Sequence, residues 1–151
     1  PDDSTGDEYL TEASEPYHFG YASGRVIGEH DGAHFYTTGQ RKGINIGGYR
    51  EPLFVLGTDI SENILFTGEG QSHPGLYRKG LFVRNDEMKK GETRECDVRI
   101  RYRQPLQKAK LFRRENGIYV IFNTMQRGIT AGQFAAWYDG EELTGSGTIN
   151  A

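Results

Sequence analysis

Two clusters of side chains in this sequence have types and spacings that could do chemistry. The first is Gly28-Glu-His-Asp-Gly-Ala-His-Phe-Tyr-Thr-Thr-Gly-Gln-Arg-Lys-Gly43. His30 and His34 stand four apart, the spacing by which a helix offers two imidazoles to one metal. Gly32 lies between them, no Glu follows the first His, and no third ligand is evident, so no metal is assigned. The stretch reads instead as an ordered loop packed by its own side chains, with His34 or Tyr36 buried. Within it, Thr38–Gly43 has the composition of a phosphate-contacting loop. Glycine lets backbone N–H groups approach an anion, and Arg41 and Lys42 supply charge. The GxxxxGK[ST] spacing of a nucleotide loop is absent, and a glycine-rich turn with two solvated bases is the alternative.

The second cluster is Arg99, Arg101 and Arg103, alternating with Val98, Ile100 and Tyr102 across Asp97–Gln104. Such alternation predicts a strand with one apolar and one basic face. On a strand the arginines would repeat about every 6.7 Å, twice the residue rise. Guanidiniums in such a row repel unless an anion bridges them, and a nucleic-acid phosphate track would do so. Lys108, Lys110, Arg113 and Arg114 on the next predicted strand add base. The competing reading pairs the ladder with carboxylates such as Glu95 or Asp97. In Gln126-Arg-Gly-Ile-Thr-Ala-Gly-Gln133, Arg127 can join the basic face, whereas Gly132-Gln133 reads as structural. Trp137 and Tyr138 read as core or rim. Cys96 sits between Glu95 and Asp97, whose charges disfavour a thiolate, so it is not read as a nucleophile. His73-Pro74-Gly75 is most simply a turn.

The elements that must position these groups are short strands. The chain has 151 residues, enough for one ordinary domain or two small ones. Hydrophobic residues are 35% and glycines number 21, so the core is thin and turns are frequent; 12% aromatics argue against disorder. No apolar run is long enough to span a membrane, no signal peptide is evident, and the single cysteine excludes an intramolecular disulfide. The expected setting is cytoplasmic. The first residue is Pro1, which reads as a fragment or a processed product. Strands are expected at Arg25–Gly28, Leu53–Asp59, Asn63–Thr67, Gly80–Arg84, Asp97–Gln104, Lys108–Arg113, Ile118–Phe122, Gln133–Tyr138 and Glu141–Ile149. Asn116-Gly117 and Asp139-Gly140 signal hairpin turns. Short helical turns are expected at Thr37–Lys42 and Gln71–Leu76. The predicted fold is mainly β. It has an acidic, flexible lead-in (1–22), a small β-rich central domain (23–84) and a second β-rich domain (92–151) of barrel or sandwich type.

Charge is strongly polarised. Residues 1–17 carry six acids and no base, whereas residues 76–127 hold 14 Lys or Arg against 6 acids. A basic middle in a chain of net charge −3 points to a polyanion-binding face, against the plainer reading of a solvated mixed surface.

Taken in order, the Gly28–Gly43 block, Pro52-Leu-Phe-Val-Leu-Gly-Thr-Asp59, Gly68-Glu-Gly70, Ile100-Arg-Tyr-Arg-Gln104 and Gly132-Gln-Phe-Ala-Ala-Trp-Tyr138 resemble the central and C-terminal parts of the tRNA-specific 2-thiouridylase family, across about residues 24–149. The resemblance implies a C-terminal β-barrel like the second domain of elongation factor Tu. It also implies a place in an enzyme that puts sulfur on C2 of the wobble uridine (position 34) of Lys, Glu and Gln tRNAs. In that family ATP, with Mg, adenylates the base, and a cysteine persulfide charged by a sulfur-relay donor protein delivers the sulfur. The family's Ser-Gly-Gly-x-Asp-Ser loop and both catalytic cysteines are missing here, the second cysteine being expected upstream of Pro1. The chain alone is therefore expected to be inactive, to bind no cofactor and to act as a monomer whose partner is tRNA. Arg41, Lys42, Arg99, Arg101, Arg103 and Arg127 are the expected tRNA contacts, with His34 and Gln40 ordering their loop or facing the active site. The alternatives are a β-barrel module docking a protein through its Tyr and Phe, and a metal hydrolase using His30, His34 and His73.

Overall fold

The structure, a computed structural model, describes residues 6–15, 24–85, 87–101 and 103–150. They divide into two units. One holds the helix Asp7–Ser14 (α1) and everything from Arg78 onward, and the other ends at Tyr77.

The smaller unit is built on one antiparallel hairpin, β1 (Leu53–Asp59) and β2 (Ile64–Glu69). The turn closes because the Asp59 carboxylate accepts from Ser61 Oγ (2.8 Å) and Glu62 N (3.1 Å), as Asp does in an Asx-type turn. Those bonds, the Ser61 hydroxyl first, hold the carboxyl below its ordinary value. Asn63 completes the turn at φ +55°. Two small apolar clusters lie on opposite faces of β1, one around Ile44, Leu53 and Val55, the other around Phe54, Leu56 and Leu76. Arg25–Gly28, expected as a strand, has no strand partner among the described residues, and Thr37–Lys42 forms tight turns rather than a helix. The Gln71–Leu76 turn is a short 3-10 helix over Pro74–Leu76, with His73 Nδ1 accepting from Gly75 N (3.0 Å).

The larger unit is a closed barrel of β3 (Tyr77–Val83), β4 (Thr93–Arg99), β5 (Gln107–Arg114), β6 (Gly117–Arg127), β7 (Phe134–Asp139) and β8 (Glu142–Thr148). The strand order is β3-β6-β5-β4-β7-β8. The ends meet through a Val83–Ile149 bridge and an Asn150 N–H to Phe82 carbonyl bond of 2.8 Å. Closure leaves few strand edges exposed. Period-2 alternation sends Val98, Leu111, Val120, Phe122, Ala135 and Trp137 inward to one core. The Asn116-Gly117 and Asp139-Gly140 turns join β5 to β6 and β7 to β8 as the sequence signalled.

Two expectations need correcting. The lead-in is not featureless: α1 (Asp7–Ser14) is a helix with Asp7 and Glu8 in its first turn, where negative charge suits the dipole. Leu10, fully buried, and Ala13 lay its apolar stripe on Phe112 and Ile121, on the barrel's outer wall. Arg114 ties the helix down through Asp7 (2.8 Å). The rest of the 1–22 segment, residues 1–5 and 16–22, lies outside the described residues. The domain boundary also moves. Gly80–Arg84, assigned to the 23–84 domain, falls largely in β3, which is part of the barrel, so the division is at Tyr77 and not between 84 and 92. The fold class is the one expected: mainly β, with a small β-rich unit ahead of a C-terminal barrel.

Candidate functional site

The basic excess of residues 76–127 is spent unevenly. Arg113 is buried and donates to the carbonyls of Met88 (3.3 Å), Gly117 (3.4 Å) and Arg114. Arg78, also buried, donates to the Ser14 carbonyl at 3.3 Å. Lys79 donates to the Asn123 carbonyl (2.7 Å), Lys90 meets Glu115 (3.1 Å), and Arg94 meets Glu92 (2.8 Å). Across β4 and β5, Asp97 stands opposite Lys108 and Glu95 opposite Lys110. Opposite charges at facing positions favour the pairing. So Arg113 and Arg114, expected to extend a basic face, are held within their own unit, while Lys108 and Lys110 stand opposite acids of β4 without an ion pair among the described residues. The carboxylates proposed as partners for the arginine ladder face the β5 lysines.

What remains is at the end of β4. The strand stops at Arg99, so Arg99, Arg101 and Arg103 do not form one straight ladder. The reason is local. Gln104 Oε1 accepts from Ile100 N (3.1 Å), and Gln104 N donates to the Arg101 carbonyl (3.2 Å). These bonds offer the backbone a turn in place of the sheet ladder. Gln104 Nε2 also donates to the buried Gln126 Oε1 (3.1 Å), fixing the turn against β6. Arg101 and Arg103 are exposed on that turn, while Tyr102 lies outside the described residues. Among the described residues, none of the three arginines forms an ion pair.

Arg99 projects from the outer face, with its guanidinium 5.7 Å from the Tyr138 ring centre, and its buried Nε has no hydrogen-bond partner among the described residues. Partial desolvation, and then the Arg127 charge, lower the Arg101 pKa from its ordinary value. Arg99, Ile100, Arg101, Gln133, Phe134 and Ala136 surround an open depression of about 470 Å³. Arg103 is not part of its lining. Gln133, read as structural, and Phe134, 67% exposed, were missed in the sequence reading. The β7 alternation contains the signal: Ala135 and Trp137 point inward, so Phe134 and Ala136 must point out.

The Gly28–Gly43 loop is packed by its own side chains. His30 Nδ1 accepts from Gly32 N (3.0 Å), so Nε2 carries the proton and donates to the Asn63 carbonyl (3.1 Å). Both ring nitrogens are engaged, which takes away the metal-ligand reading of His30. His34 is exposed and packs on Phe35, with ring centres 4.1 Å apart; Tyr36, half-buried, donates to the Gly43 carbonyl (3.0 Å). The expectation that His34 or Tyr36 would be buried is therefore met only in part, by Tyr36. Gln40 binds both sides of its turn, Oε1 accepting from Thr37 N (3.0 Å) and Nε2 donating to the Lys42 carbonyl (2.8 Å). Gly39 and Gly43, both at φ +90°, sit in the left-handed region where a Cβ is strained. The N–H groups of Gly39 and Gln40 bond to the carbonyls of Val55 and Thr37. They are thus turned inward, away from the anion-cradling role considered for them. Charge is displayed by the exposed Arg41 and Lys42 side chains, Arg41 also lining a shallow depression of about 350 Å³ with Ile44, Ile46 and Leu53.

Cys96 points toward the barrel core. Burial, opposed only in part by Arg94, pushes its thiol up to about 11, which leaves it a neutral packing group. Among the described residues no helix is long and apolar enough to cross a membrane.

Comparison with known proteins covers nearly the whole chain. A family model described as the tRNA methyl transferase PRC-barrel domain matches residues 7–69. A second, the aminomethyltransferase beta-barrel domain, matches residues 78–149. The gap between them falls at the structural division. The chain is 48% identical to a protein of Christiangramia forsetii and 48% identical to one of Flavobacterium johnsoniae, over 95% of its own length in each case. It is 42% identical to a protein of Listeria monocytogenes, again over 95%. Each of these relatives is a tRNA-specific 2-thiouridylase MnmA. The chain spans 38–39% of their length.

Proposed function

Because the chain belongs to the tRNA-specific 2-thiouridylase family, over that family's central and C-terminal portion, we propose that it is the tRNA-gripping part of an enzyme that thiolates the wobble uridine of tRNA. The observation that carries this reading is the partition of charge. Arg78, Lys79, Lys90, Arg94, Arg113 and Arg114 are engaged within their own unit, while the exposed Arg101 and Arg103 and the half-buried Arg99 have no ion-pair partners among the described residues. Arg forks suit phosphate oxygens, and an RNA backbone offers them in series. Arg127 extends this surface, and Arg41 and Lys42 supply a second basic point on the central unit.

In this reading the whole enzyme uses ATP with Mg and a cysteine persulfide, charged by a sulfur-relay donor, to modify Lys, Glu and Gln tRNAs in the cytoplasm. This chain's residues do not fit the chemical steps. It has no Ser-Gly-Gly-x-Asp-Ser loop for ATP, and its one thiol, Cys96, is held neutral. Adenylation and sulfur transfer are assigned to the part of the relatives that this chain does not match. The chain alone binds tRNA as a monomer and does not thiolate it.

The test is a fluorescence-anisotropy titration of the chain with a Lys-type tRNA across about 50 to 200 mM salt. Affinity that falls steeply with salt supports the proposal. Salt-independent binding, or binding of protein partners alone, favours a β-barrel interaction module instead.

A further inference from the structure

The depression beside Arg99 is shaped for more than a phosphate track. Arg99 stands opposite Ala136 in the β4–β7 register, and Phe134 lies two residues along β7 on the same outer face. Phe134 is thus the diagonal neighbour of Arg99 across the strand pair, at about 7–8 Å. Ala136 leaves the floor low, Phe134 exposes 67% of its surface, and the Gln133 side chain is exposed beside it. A volume of about 470 Å³ falls within the range of roughly 300–1,000 Å³ that accommodates a small ligand. A helical backbone crossing an arginine ridge needs neither an aromatic platform nor a recess.

Building on the proposed tRNA contact, we infer that this recess takes a single unstacked nucleotide of the RNA, with its phosphate on Arg99 and Arg101 and its base on the Phe134 ring. The buried Arg99 Nε has no hydrogen-bond partner among the described residues, and it is the outer N–H groups of the Arg99 guanidinium, at the lining of the recess, that meet the phosphate. The phosphate's negative charge also offsets the Arg127 charge felt by Arg101. Bases stack on aromatic side chains where RNA is single-stranded, in loops, bulges and ends, and not within a duplex. The site therefore selects a looped or bulged segment, and the Gln133 amide stands where it can meet a base edge.

The test compares the parent chain with F134A and F134W, each titrated with a labelled single-stranded oligouridylate and with a blunt RNA duplex. F134A should weaken oligouridylate binding about tenfold and leave duplex binding and the salt slope unchanged. F134W should restore affinity, and its added fluorescence should be quenched by the oligonucleotide. Because Phe134 is exposed, circular dichroism and melting of F134A should match the parent. Equal affinity of F134A and parent for oligouridylate, or equal weakening on both RNAs, overturns the nucleotide site while leaving the tRNA contact standing. Failure of the parent to bind either RNA at low salt overturns the tRNA contact itself, and this inference with it.

Discussion

The two basic regions of this molecule reach their exposed charge by different routes. On the barrel, Arg99 comes from a strand whose inward neighbours Val98 and Ile100 are locked in a core of fourteen buried residues. On the central unit, Arg41 and Lys42 come from a loop held by the Gln40 amide and the Tyr36 hydroxyl, beside two clusters of three buried residues each. The barrel site is positioned by packing and the loop site by a few hydrogen bonds. A charge is placed as firmly as whatever holds its backbone, so the first site should tolerate loss of one polar contact better than the second.

The sharpest break in that comparison comes from the cores. Trp137→Ala should cost about 3–5 kcal/mol in denaturant melts and abolish binding through the Arg99 face. Leu56→Ala, at 7% exposure in a smaller cluster, should cost nearer 2 kcal/mol. Gly145→Ala probes the same barrel core from the other side. A Cβ there would sit 2.4 Å from Trp137 Nε1, and overpacking of this kind costs about 1–3 kcal/mol.

The polar supports come next. Gln104→Ala leaves the buried Gln126 amide short of a partner and frees the Arg101–Arg103 turn, at about 1–3 kcal/mol in stability. Gln40→Ala removes two bonds from an exposed loop, at about 1 kcal/mol. Its effect on RNA binding should nonetheless be the larger of the two, because the Gln40 amide supplies two of the few bonds that hold the loop carrying Arg41 and Lys42, whereas Arg99 is backed by the barrel core. Parallel titrations of the two variants check this. If Gln104→Ala loses more affinity, the contrast between packed and hydrogen-bonded positioning is wrong.

Smaller effects follow from titration. The Cys96 thiol is raised in the folded state from 9.0 to about 11, so folding favours its neutral form. That stabilisation is complete below pH 9, and it is lost as pH rises from there toward 11, because the unfolded chain ionises first. Alkaline melts should show the decline and Cys96→Ala should flatten it, while alkylation of the folded chain at neutral pH should be slow. Asp59 is the reverse case. Its carboxyl is lowered, so its contribution is present above the unfolded value and is lost as pH falls through the folded one. Asp59→Asn should remove a slight acid dependence, and nothing more.

The sequence pattern carried the strands well wherever one face is buried. Leu53–Asp59 coincides with β1, and the two Gly-containing turns fall where expected. It failed where a side chain competes with the backbone. The Arg99–Arg103 alternation continues in sequence past the point where Gln104 captures the Ile100 N–H and bends the chain. It failed again at α1, where acidic composition hid a stripe made by Leu10, Ala13 and Ser14 at helical spacing. For the candidate site, residue types pointed to Arg99, Arg101 and Arg127. No local pattern announced that long-range register brings Phe134 beside them, since β4 and β7 pair across more than thirty positions of chain.

The central claim is that exposed arginines on the barrel carry RNA phosphate contacts. The most direct test is the salt slope of tRNA binding for the parent chain and for R99Q/R101Q/R103Q. Each phosphate contact contributes about 0.7–0.9 to the slope of log affinity against log salt. The account predicts a slope shallower by about 2–3 in the triple variant, with weakening that is uniform across tRNA species. An unchanged slope and affinity would contradict it, leaving the three arginines as surface groups of the barrel.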